Sequence, residues 1–181
     1  LVTENIRSQM IEFLPRLRRF AYALTRNLET ADDLVQDTCE RALARADQWE
    51  PGTRLDSWMY RIAQNIWYDT GRAAKVRGEK ADLDVIADWP GSDGRTVTED
   101  RLTLAHVLQE IEKLPQDQQV LVGLVCVNGL YYKEAAETLQ LPIGTVMSRL
   151  SRARQAIAGA LIDTGVAIVP ASGGARLGKN S

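Results

Sequence analysis

Apolar residues along this chain recur every three or four positions far more often than they alternate. Ile11, Leu14, Leu17, Phe20/Ala21, Leu24 and Leu28 keep that spacing, which is the period of a helix with one face in a core. Pro15 falls inside the run. An interior proline costs about 3 kcal/mol, so the pattern predicts a first turn or a junction there. A second helix is predicted from Thr30 to about Ala46, with Asp32 and Asp33 in its first turn, where negative charge suits the helix dipole. Glu50-Pro51-Gly52-Thr53 reads as a turn,. A third helix is expected over roughly Leu55 to Ala74, its stripe formed by Leu55, Trp58/Met59, Ile62 and Ile66.

Between Gly78 and Asp100 the periodicity fails, and Pro90-Gly91-Ser92-Asp93-Gly94 is turn-rich,. Helical spacing returns from Arg101 to Ile162. Pro115 divides its first two helices, and the short apolar run Val120 to Val127, Cys126 included, reads as buried helix. Asn128-Gly129 and Leu141-Pro142-Ile143-Gly144 mark turns. Glycines 165, 173, 174 and 178, with Pro170, point to a disordered tail,. The expected fold is all-α: two small helical domains, 1–78 and 101–162, joined by a flexible linker over 79–100 and followed by a tail over 163–181.

The second domain ends in a pattern with chemistry. A short helix (Glu134 to Leu139), a tight turn and a longer helix (Thr145 onward) make a helix-turn-helix arrangement,. On the longer helix Val146, Leu150, Ala153 and Ile157 form one apolar stripe. Ser148, Ser151, Arg152 and Gln155 lie opposite, flanked by Arg149 and Arg154. Short hydroxyls permit close approach to a DNA major groove, while arginines grip phosphates or pair with guanine. A solvated amphipathic helix would show the same periodicity; the turn before it favours DNA.

Charge refines this picture. Of 181 residues, 22 are Lys or Arg and 24 are Asp or Glu, a net charge of −2. That balance argues against a polybasic whole-chain DNA coat. It also hides an uneven distribution, because 79–100 holds 2 basic and 7 acidic residues. Other counts exclude whole classes. The two cysteines, Cys39 and Cys126, have no metal-ligand spacing,. His106 is the only histidine, so neither a histidine-based triad nor a metal site is supported, and no enzyme is expected. No cofactor is implied. No apolar run reaches the roughly 18 residues that span a bilayer, and no charged-then-apolar leader opens the sequence. A cytoplasmic protein without membrane insertion is expected.

GLYYKEAAETLQLPIGTVMSRLSRAR, from Gly129 to Arg154, resembles region 4 of an extracytoplasmic-function (ECF) bacterial RNA polymerase sigma factor. The resemblance implies a helix that reads the −35 promoter element, opening at Thr145, with Ser148, Ser151 and Arg152 near bases, Gln155 beside them, and Arg149 and Arg154 nearer phosphates. Two positions depart from the pattern. Met147 stands where the family is often basic, and Gln140 stands in the turn where a small or left-handed-tolerant residue is common.

The first domain resembles sigma region 2. Leu14 to Arg26 is similar to its first helix, and Ala31 to Ala44 (ADDLVQDTCERALA) to the helix that docks on the polymerase clamp. Ala31, Leu34, Val35, Thr38 and Ala42 share one side of that helix; Asp33, Gln36, Asp37 and Glu40 share the other. An acidic stripe suits a basic partner surface. Asp56 to Arg72 (DSWMYRIAQNIWYDTGR) resembles the segment that recognises and opens the −10 element. Arg61, Asn65, Tyr68 and Arg72 lie on one face, offering phosphate charge, an amide and a stacking ring for an unpaired base. The resemblance places Asn65 in or beside the loop that captures a flipped base. Trp58, on the apolar stripe, and Trp67 each suit core or contact; Trp49 reads as a plug near the turn. The resemblance implies binding to core RNA polymerase, promoter DNA and an anti-sigma factor, and a linker passing near the path of RNA. Two alternatives remain open: a sigma-like decoy that sequesters a regulator, and an ordinary helix-turn-helix regulator.

Overall fold

The structure is a computed structural model and describes residues 2–77 and 99–163. Most of the expected acidic linker, and the tail from residue 164, lie outside the described residues. Among the described residues the chain is helical, without strands, and its helices fall into two compact units. The first holds α1 (Val2–Thr25), α2 (Leu28–Ala44) and α3 (Leu55–Arg77). The second holds α4 (Glu99–Lys113), α5 (Gln116–Val122), most of α6 (Tyr132–Leu139) and α7 (Ile143–Asp163). Glu99 and Asp100, expected in the linker, belong to α4.

In α1 the buried stripe runs through Ile6, Met10, Phe13, Leu17, Phe20, Ala21 and Leu24. Ile11, expected to begin the stripe, is 67% exposed; it lies one residue out of phase with Met10 and so faces water. Pro15 occupies neither a first turn nor a junction but the interior of α1. The amide it lacks would have served the carbonyl of Ile11, on the solvent side, where water can substitute. Burial of apolar residues before and after it holds the helix continuous, tertiary packing overriding propensity.

α1 ends at Arg26, whose φ of 57° is left-handed and whose N–H bonds the carbonyl of Tyr22 at 2.8 Å,. Asn27 then caps α2: its Oδ1 accepts from the N–H of Thr30 at 2.8 Å. The helix therefore starts at Leu28 and not at Thr30. On its inner side Ala31, Leu34, Thr38 and Ala42 are buried. The Thr38 hydroxyl donates to the carbonyl of Leu34 at 2.6 Å, which lets a polar residue sit in the core. After α2 a 3-10 turn (Ala46–Gln48) leads to Trp49, buried as a plug. The expected turn at 50–53 forms: the Thr53 hydroxyl and N–H both bond the carbonyl of Glu50, at 2.7 and 3.1 Å.

α3 extends three residues beyond the expected Ala74. Leu55, Met59, Ile62 and Ile66 are buried as the stripe predicts, while Trp58 is only half-buried. Tyr60 is fully buried at the centre of the unit. The rings of Phe13 and Phe20 meet it edge-on, with centroids at 4.9 and 5.0 Å, contacts worth about 0.5–1.5 kcal/mol each beyond area burial. Burial pushes the Tyr60 hydroxyl up to about 12.

In the second unit Pro115 precedes α5. The buried Gln119 amide donates to the carbonyls of Glu112 and Leu114, at 3.1 and 2.8 Å, closing the corner between α4 and α5. The apolar run continues as a π-helical turn (Gly123–Val127). Val120 to Leu124 are buried, but Cys126 is exposed, not core. The wider turn, marked by the N–H of Asn128 bonding the carbonyl of Gly123 at 3.1 Å, carries the later residues off the buried face.

Candidate nucleic-acid interface

α6 begins at Tyr132 because Glu134 reaches back to accept from the N–H of Tyr131 at 2.8 Å, half of a capping box,. It ends in a Schellman arrangement. The N–H of Leu141 bonds the carbonyl of Ala136 at 2.9 Å, and that of Gln140 bonds the carbonyl of Glu137 at 3.3 Å. Gln140 takes the left-handed conformation, φ 54°. The turn thus keeps its geometry with a glutamine where glycine would relieve about 1 kcal/mol of strain. The amides of Thr145 and Val146 bond the carbonyl of Pro142, at 2.9 and 3.2 Å, so α7 opens at Ile143, two residues before the expected start.

On α7 the expected stripe is in the core: Val146, Leu150 and Ala153 are buried, Ile157 is half-buried, and Leu161 extends the row. Ser148, Ser151, Arg152 and Gln155 are exposed on the far side, as expected. The half-buried Thr145 lends its carbonyl to the hydroxyl of Ser148 at 3.1 Å. The three arginines differ. The Arg152 Nε reaches the carbonyl of Ser148 at 3.4 Å, a long contact that leaves the guanidinium tip over solvent. Arg149 pairs with Asp117 of α5 at 3.0 Å. Arg154 donates to the Tyr132 hydroxyl at 2.7 Å and lies over the Tyr132 ring, 5.8 Å from its centroid. It also lies 3.9 Å from the sulfur of Cys126. Asp117 and Tyr132, which sequence reasoning missed, are the residues that separate these arginines.

On α3 the structure brings Arg61, Asn65, Tyr68 and Arg72 to one face, with Tyr68 half-buried and the other three exposed. Two are engaged locally. The Tyr68 hydroxyl accepts from Gln64 at 3.1 Å, and Arg72 pairs with Asp69 at 2.5 Å. Trp67 is half-buried. At the start of α3 stands a cluster with no forewarning in the sequence pattern. Arg54 donates through Nε and a terminal nitrogen to both oxygens of Asp56, at 3.1 and 2.8 Å, and Arg16 of α1 approaches at 3.7 Å. Burial alone would raise the Asp56 carboxyl, but the hydrogen bond and charge of Arg54 outweigh it and hold it below the ordinary value,.

On α2, Asp33, Gln36, Asp37 and Glu40 are exposed side by side, with Gln36 donating to Glu40 at 2.9 Å. Asp32, one residue away, is taken by Arg18 at 2.7 Å, so the acidic face begins at Asp33. Burial raises the Cys39 thiol, away from a reactive thiolate,. Among the described residues no cluster of His, Cys, Asp and Glu could hold a metal ion, and no helix is long and apolar enough to cross a membrane.

Two family models match the chain. "Sigma2 domain of PhyR" covers residues 10–64 and "Sigma-70, region 4" covers 105–157. The chain is 34% identical over 160 residues to the ECF RNA polymerase sigma factor EcfG of Rhodopseudomonas palustris, spanning 88% of this chain and 87% of that one. It is 28% identical over 156 residues to the ECF RNA polymerase sigma factor SigW of Bacillus subtilis, spanning 78% and 81%. Among solved structures it is similar to the sigma factor RpoE of Bartonella quintana, crystallised with the anti-sigma factor NepR. The TM-score is 0.70 with 28% identity, over 88% of this chain and 98% of that one.

Proposed function

The chain belongs to the ECF RNA polymerase sigma factors, and from that membership we propose that its three exposed polar faces divide the work of promoter recognition. As a factor of this type it directs core polymerase to specific promoters and opens the −10 element. The acidic face of α2, Asp33, Gln36, Asp37 and Glu40, docks on the polymerase clamp, where a basic surface would complement it. α7 enters the −35 major groove with Ser148, Ser151, Arg152 and Gln155 toward bases, and Thr145, Arg149 and Arg154 at the margins. The face of α3 formed by Arg61, Asn65, Tyr68 and Arg72, with the half-buried Trp58 beside it, holds the melted −10 strand. The stretch 79–98 serves as the acidic linker between the two helical domains, the second of which opens with α4 at Glu99. An anti-sigma factor is the expected regulator, acting in the cytoplasm.

The observation that carries this reading is the exposed polar face of α7, set opposite a buried stripe and introduced by a closed helix-turn-helix corner. Reconstitution with core polymerase on a promoter library tests it. Selection of a common two-element promoter supports the reading. Core binding without DNA selection would favour a decoy, and palindromic sites bound by a dimer without polymerase would favour an ordinary regulator.

A further inference from the structure

Ile143 and Met147 stand one helical turn apart at the start of α7 and are 43% and 45% exposed. Ile11, Leu43, Val76, Tyr131 and Ile162 are also exposed, but no two of them stand one turn apart on a helix, and single exposed apolar residues are ordinary. The pair on α7 is different because of its place. The N-terminal residues of a recognition helix are those that meet base edges. Met147 is one residue from Ser148 and one turn before Ser151, both exposed.

The neighbouring arginines narrow what this part of the helix can read. Arg149 is held by Asp117 and Arg154 by Tyr132, which leaves Met147 among the uncommitted groups of the first turns. A thioether has no hydrogen to donate and only a weak acceptor. It is long, unbranched and polarizable, and adapts to an apolar target. In the major groove one base presents such a target: thymine, through its C5-methyl group.

We propose that Met147 is a specificity-determining residue that reads a thymine methyl group within the −35 element. This rests on the assignment of α7 to the −35 duplex. Such an apolar contact is insensitive to salt, unlike a phosphate contact.

The test uses holoenzyme assembled from the full chain and core polymerase, on the promoter it selects from a library. Each thymine of the −35 element, on either strand, is replaced in turn by uracil, which removes only the methyl group. At one position uracil is expected to weaken wild-type binding about three- to fivefold, the effect of one buried methyl group. Met147→Ala should bind the thymine and uracil forms equally, with an unchanged salt dependence. Absence of any uracil-sensitive position overturns the proposal, as does a Met147→Ala protein that keeps the discrimination, or its loss in Ile143→Ala instead. If the wild type selects no −35 element, the assignment of α7 itself fails, an outcome separate from selection that proceeds without a methyl effect.

Discussion

The two helices assigned to DNA present their polar groups in different states of commitment. On α7 the outermost side chains, Ser148, Ser151, Arg152 and Gln155, point to solvent, and the arginines at the margins are tied to α5 and α6. On α3 two of the four groups of the presented face pair through their side chains within their own helix: Arg72 with Asp69, and Tyr68 with Gln64. A duplex offers fixed edges to a rigid reader, and α7 is already arranged as one. An unpaired strand is flexible, and the Arg72–Asp69 pair on α3 is an exposed one that costs little to exchange,. On the proposed assignments, preorganisation sits where the target is rigid, and exchangeable contacts sit where it is not.

The largest expected effect separates the arginines of α7. Arg152→Ala should cost about 1–3 kcal/mol of discrimination at one −35 position with little change in melting temperature. Arg154→Ala should instead lower stability by about 1–3 kcal/mol, because a charge-assisted hydrogen bond to Tyr132 is lost. Promoter-binding titrations on a mutant library and thermal melts of both variants check the pair. If Arg152→Ala weakens every sequence equally, it grips phosphate, and the contrast with Arg154 shrinks to one of strength.

A smaller effect tests how firmly the start of α3 is fixed. Asp56→Asn should cost about 1 kcal/mol at neutral pH. The folded carboxyl titrates below its ordinary unfolded value, held there chiefly by Arg54,. Its contribution is therefore complete above that value and is lost as pH falls through the lower, folded one. The melting curves of wild type and variant should converge in acid; a gap that persists there would assign the effect to packing.

Smaller again is Gln140→Gly, expected to raise stability by about 0.5–1 kcal/mol in a denaturant titration, since glycine adopts the left-handed turn without strain. Any loss of stability would mean the glutamine side chain contributes more than its backbone costs. Least is Asp69→Asn, which frees Arg72. Stability should change by less than about 0.5 kcal/mol, and binding to a single-stranded −10 oligonucleotide by holoenzyme should hold or tighten. A marked weakening would show that Asp69 orients Arg72 for the strand, making α3 as preorganised as α7.

The sequence pattern made much of this legible. The stripe of Val146, Leu150 and Ala153, and the acidic face from Asp33 to Glu40, follow from helical period alone, because neighbours on a helix are fixed by spacing. What stayed hidden depends on residues distant in sequence. Arg149, Arg152 and Arg154 look alike until Asp117 and Tyr132 fold against two of them. Pro15 was readable as a boundary only because propensity takes no account of the core on both sides of it. Cys126 was readable as buried because a period of 3.6 cannot register the wider turn at 123–127.

On the proposed assignment of α7 to the duplex, its polar face from Met147 to Gln155 also sets how much text the protein can read. Eight residue steps of helix span about 12 Å, the length of three to four base pairs at about 3.4 Å each. A word of about four letters recurs by chance every few hundred base pairs, far too often to single out one start site among millions. The vocabulary of this helix therefore has meaning only as part of a phrase. It must be joined at fixed spacing to a second short word, and the grammar of that spacing must be supplied by the polymerase.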